Sequence, residues 1–170
     1  MALTRKDKDK LIGWEDFVTN QYRATPVDLN ETASEKLKRI AYLEAHPEEW
    51  YKFYFPNFYT SEPAPFHIKA TKRVLANPEW YEVRSWARDL SKSGRTMMDV
   101  LLLAMTGKKK TIILVSATYD DAERLLKPYK TILEINDRLK NDYGEQKALS
   151  GWEEGDFTTR LFLYRFDYSF

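Results

Sequence analysis

The sequence predicts an α/β fold, a parallel sheet with flanking helices preceded by an N-terminal helical segment. Three observations predict it. In residues 80–86, Tyr81, Val83 and Ser85 alternate with charged neighbours, the period of a strand. Met97, Val100, Leu101, Ala104 and Met105 then recur at helical spacing. The run "TIILVS" at 111–116 is almost wholly apolar and β-branched, as in a parallel strand covered on both faces. Strand, helix and strand at this spacing imply a right-handed crossover.

The other elements follow in order. Residues 4–10 mix basic and acidic side chains and read as a solvated arm. Leu11, Trp14, Phe17, Val18 and Tyr22 suggest a first helix. A second helix is expected over 33–45, with Leu37, Ile40 and Ala41 facing inward, ended by His46-Pro47. Pro47 can open a third, carrying Trp50, Phe53 and Tyr54. The proline-punctuated stretch "FPNFYTSEPAPF" is a connection, and a helix over 65–76 stops at Asn77-Pro78. Thr106-Gly107 closes the helix after the 87–91 loop, with Lys108, Lys109 and Lys110 complementing its negative end. Thr118 or Asp120 caps the next helix, in which Ala122, Leu125, Leu126, Tyr129 and Leu133 face inward and Pro128 is expected to cause a kink or break. Residues 141–156 are polar and turn-rich, and 157–170 are expected to be extended.

Composition limits the functional classes. A chain of 170 residues with 43% apolar and 31% charged content suits one globular, soluble domain. Its longest apolar runs are too short to span a bilayer, and "MALTRKDKDK" lacks a signal-peptide core. The lack of cysteine removes disulfides and thiolate metal sites and fits a reducing cytosol. Net charge of +1 exerts no global pull on nucleic acid, so DNA contact requires a local patch.

The segment with chemical content is "WARDLSKSGRT", 86–96. It has the layout of a phosphate-binding loop, yet Trp86 and Ser91 stand where the glycines of G-x-x-x-x-G-K-[ST] belong. Lys92 and Ser93 fall at the start of a helix, where backbone N–H groups and the helix dipole favour an anion. Lys92 suits β- and γ-phosphates, Ser93 suits Mg²⁺, and Arg88 can grip phosphate oxygens as a fork. Two alternatives stay open: a solvated surface loop, and a rival register in which Gly94, Arg95 and Thr96 replace Gly-Lys-Thr. Arginine suits that rival poorly, because its fork is bulkier.

From "RDLSKSGRTMMDVLLLAMTGKKKTIILVSATYDDAERLL" onward to residue 144, the chain resembles the N-terminal ATPase region of the large terminase subunit of tailed bacteriophages. "PAPFHIKATKRVL" resembles that family's adenine-side segment, so the resemblance covers about 66–160. In this family the phosphate loop begins with arginine and often lacks its first glycine. The resemblance implies a partial P-loop NTPase fold, with 1–60 a helical region, 61–160 the first half of the ATPase domain and 161–170 an aromatic strand or tail. It implies ATP contacts at Phe66, His67, Arg88, Asp89, Leu90, Ser91, Lys92, Ser93 and Gly94, catalytic roles for Arg88 and Lys92, and Mg²⁺ at Ser93. Implied partners are double-stranded DNA, the portal protein and the small terminase subunit, with no membrane, in the cytoplasm of a bacterial host. Without the family, Phe66 reads as a core aromatic, His67 as an exposed first-turn histidine, and Arg84 and Lys108–Lys110 as solvated charges.

The family's second acidic motif and nuclease carboxylates are not recognisable. Asp120-Asp121 opens a helix and Glu153-Glu154 sits in a turn. The expectation is therefore a truncated, catalytically incomplete form without ATPase or nuclease activity. Residues 161–170 alternate, with Phe162, Tyr164, Phe166, Tyr168 and Phe170 on one face, a pattern prone to self-association. Two other classes compete: a non-catalytic protein-interaction module, and a helicase-like P-loop ATPase.

Overall fold

The computed structural model describes residues 13, 16, 18–20, 24–152 and 157–159. Six helices have defined bounds: α1 Ala33–Ala45, α2 Pro47–Tyr54, α3 Pro65–Ala76, α4 Lys92–Met105, α5 Tyr119–Ile135 and α6 Asp137–Tyr143. A hairpin of β1 Lys147–Trp152 and β2 Phe157–Thr159 follows. Its two strands pair antiparallel and form the one sheet among the described residues. Residues 13, 16, 18–20 and 24 are helical, whereas Leu11, Trp14, Phe17 and Tyr22 of the expected first helix lie outside the described residues. So do 1–10 and 160–170, including the aromatic alternation.

Local chemistry sets the helix ends. Thr32 and Glu35 form a reciprocal capping box at α1, with Thr32 N–H donating to Glu35 at 3.0 Å. Pro47 and Pro65 occupy the first turns of α2 and α3, where their missing N–H costs nothing. Gly107 turns left-handed at φ 66° just beyond α4. Thr118 caps α5 by accepting from Asp121 N–H at 3.2 Å, and Asn136 caps α6 by accepting from Leu139 N–H at 3.0 Å.

The core joins α2, α4 and the end of α5. Trp50, Tyr51, Tyr54 and Phe55 are completely buried, packed with Met97, Leu101, Leu102, Met105, Ile132 and Leu133. Their polar tips are satisfied: Trp50 donates to Tyr143 at 3.0 Å and Tyr54 to Asp142 at 2.6 Å. Arg39 holds Asp142 at 2.6 Å and Glu31 at 2.6 Å. Arg39 and Arg138 both lie over the ring of Phe53, at 4.8 and 4.5 Å.

The predicted parallel sheet is not formed, and the P-loop NTPase fold class is corrected accordingly. Neither 80–86 nor 111–116 is a strand, and they do not pair with each other. Tyr81, Val83, Ile113 and Val115 are all exposed. The reason lies in where each element finds its hydrogen bonds. A helix closes them within itself, whereas a central parallel strand needs neighbours on both edges and helices over both faces. No such neighbour stands beside either segment among the described residues.

Smaller corrections share this character. Leu37 and Leu125 are exposed rather than inward, as is Ala41; α1 buries Leu43 instead, and α5 buries Ile132 beside Leu133, which faces inward as expected. Pro128 does not break α5, which continues to Ile135. The burial of Thr131, Ile132 and Leu133 anchors the turn after it and offsets the one lost backbone bond.

Candidate functional site

The loop ahead of α4 is built on two left-handed residues, Asp89 at φ 65° and Ser91 at φ 52°. Such backbone is uncommon for side-chain-bearing residues and turns successive peptide N–H groups toward one side. Ser91 is the N-cap of α4 but makes no side-chain capping bond. The N–H groups of Lys92, Ser93 and Gly94 therefore have no partner among the described residues, the usual state of an open first turn.

The structure brings the adenine-side and loop residues of the sequence reading together. His67 accepts from Ala64 N–H through Nδ1 at 3.1 Å, so the ring proton sits on Nε2, which donates to the Leu90 carbonyl at 3.0 Å. His67 is thus a strut between the start of α3 and the loop, and the free first-turn histidine expected from residues alone is corrected. Phe66 lies 4.2 Å from His67 and 5.1 Å from Trp86, ring centre to ring centre, and remains 39% exposed. It is not the core aromatic that residues alone suggested. Arg88, Asp89, Leu90, Ser91, Lys92 and Ser93 are exposed, and Gly94 is half-buried. Neither the Arg88 nor the Lys92 side chain has an ion-pair or hydrogen-bond partner among the described residues, the Lys92 carbonyl accepting from Thr96 at 2.9 Å.

Beneath the loop lies a buried ionic network. Asp99 accepts from Tyr51 and Thr71 hydroxyls, each at 2.7 Å, and from Arg84 at 2.7 Å. Arg95, 3% exposed, donates to Thr71 at 2.8 Å and forks onto Glu48. Its guanidinium also lies 4.6 Å over the ring of Tyr51. Burial pushes the Tyr51 hydroxyl far above the ordinary phenol range, and Asp99 adds to it. Burial alone would lower the Arg84 pKa, but Asp99 and Glu82 more than offset it and the value rises.

Two readings change as a result. Arg95 points into the core, so the register using Gly94, Arg95 and Thr96 leaves no cation for phosphate. Arg84 is not a solvated charge: it bonds Glu82 at 2.8 Å and Asp99, and lies 5.3 Å over Trp86. The sequence held a signal for the network. Arg95 and Asp99 share a helical face with Met98 and Leu102, an apolar stripe on which charges persist only if paired.

The donor set fits a polyphosphate: open helix N–H groups, two unpaired cations and an exposed aromatic. For Mg²⁺ it offers the Ser93 hydroxyl as a single contact, with phosphate oxygens left to supply the others. No group of three His, Asp or Glu side chains converges as a metal site among the described residues. None of their helices is long and apolar enough to cross a membrane. Compared with known proteins, the chain matches no family model, no curated protein and no solved structure.

Proposed function

We infer that the 86–94 loop binds the triphosphate of ATP with Mg²⁺, and that the chain is the ATP-binding part of a terminase-type motor for packaging double-stranded DNA. One observation carries this reading: Arg88 and Lys92, exposed and unpaired, flank a left-handed loop at the open N-terminus of α4. The parallel strand expected to precede this loop is not formed at 80–86, so that support is lost and the reading rests on the loop and helix alone. Lys92 and Arg88 take the phosphate charge, Ser93 contacts Mg²⁺, Asp89 to Gly94 supply backbone, and Phe66 with His67 borders the base. The portal protein and small terminase subunit are the partners that this function entails.

The test is titration of a fluorescent ATP analogue with and without Mg²⁺. Lys92→Ala removes a charge-assisted contact, so affinity falls about tenfold or more. An unchanged affinity in Lys92→Ala would sink the reading.

A second reading, an interaction module without nucleotide, draws on the exposed apolar segments, where Tyr81 is 86% and Val115 82% exposed. Absence of saturable analogue binding to the unmodified protein would favour it.

A further inference from the structure

Away from the loop, a cavity of about 520 Å³ opens between α4, α5, residues 110–114 and β2. Leu101 and Ala104 of α4, Leu126 of α5 and Ile112 form much of its wall. The size falls within the range of about 300–1,000 Å³ typical of small-molecule sites. Thr159 also lines it, is 5% exposed, and its Oγ1 has no hydrogen-bond partner among the described residues. A buried hydroxyl left unmatched costs about 1–3 kcal/mol, so such groups in folded proteins are nearly always satisfied. The charged residues that line the cavity, Lys110 and Glu123, both have interaction partners. The unmatched group is therefore neutral, in an otherwise largely apolar chamber.

We propose that this cavity is a binding site for an uncharged, mainly apolar small molecule carrying one hydrogen-bonding group, which pairs with Thr159 Oγ1. The site is independent of the phosphate loop and does not rest on nucleotide binding. An apolar body covers the water-exposed apolar wall, where Ile112 is 40% exposed, and the polar group completes Thr159. A charged ligand is disfavoured, since no unpaired opposite charge lines the cavity among the described residues.

Indole and indene make the probe pair, because they share a shape and only indole has an N–H. Calorimetric titration of the whole protein is expected to show saturable indole binding, with indene about tenfold weaker for want of that bond. Thr159→Val, close in volume, should bring the two to equal affinity. Ala122→Phe, which fills the cavity from α5, should abolish both while circular dichroism stays unchanged. Absence of saturable indole binding would overturn the proposal. So would an indole preference that survives Thr159→Val, or binding that survives Ala122→Phe.

Discussion

Trp50 and Tyr54 in α2 are completely buried, while Ile113 and Val115, equally apolar in composition, are 78% and 82% exposed. The aromatic helix is short, yet its backbone bonds close internally and the whole apolar face is free to pack. Residues 111–116 carry the stronger hydrophobic signal in sequence but have no backbone hydrogen bonds among the described residues. Apolarity decides what should be buried. Whether it can be buried depends on whether the backbone brought with it is satisfied. The polar groups near α2 meet that condition through Tyr143 and Asp142 of α6 and Asp99 of α4.

Breaking the satisfied region should cost most. Asp99→Ala leaves Arg84 and two hydroxyls facing an empty buried position, and should destabilise by about 3–5 kcal/mol in urea unfolding. A loss below about 1 kcal/mol would show that the network is decorative. Next in size is an alkaline effect. Burial raises the pKa of Tyr51, Tyr54 and Tyr143 well above the ordinary 10.0. Groups whose folded pKa is raised lend stability that is full below the unfolded value and lost as pH rises toward the folded one. The urea midpoint should therefore hold up to about pH 10 and fall above it, and Tyr143→Phe should blunt that fall.

Smaller effects sharpen the other side of the comparison. Ser91→Gly relieves a left-handed residue and should raise the thermal midpoint slightly, a gain of about 1 kcal/mol at most. A loss would mean that the loop backbone is held by contacts of the Ser91 side chain. Ile113→Thr should change stability by less than about 0.5 kcal/mol, since the side chain is already in water. A larger loss would show that something covers 111–116 in solution, and amide hydrogen exchange over that run would confirm the cover.

The helix bounds at Ala33–Ala45 and Pro65–Ala76 were legible because their signals are local: a proline in a first turn, a cap, a following X-Pro pair. The phosphate-loop candidates were legible for the same reason, as cations at a helix start. Arg84 was not. Its partner Asp99 lies 15 residues away, and an arginine between charged neighbours looks the same whether it meets water or a buried carboxylate. Arg95 was half legible, since its place on an apolar face marks burial while nothing nearby in sequence names Glu48, 47 residues distant.

By itself, the sequence determined the helices over 33–45 and 65–76 with their ends, and that residues 88–93 bring cations to a helix start, but not the helix Asp137–Tyr143 or the strand Lys147–Trp152. The features it determined depend on bonds within a few residues of chain. Only the tertiary structure decided that His67 braces the loop, that Arg95 faces inward and is lost to phosphate, and that Thr159 lines a cavity. It also decided that two strand-like segments remain unpaired. Hydrogen-bond partners for a strand, and counter-charges for a buried arginine, come from distant chain, and no local pattern carries their address.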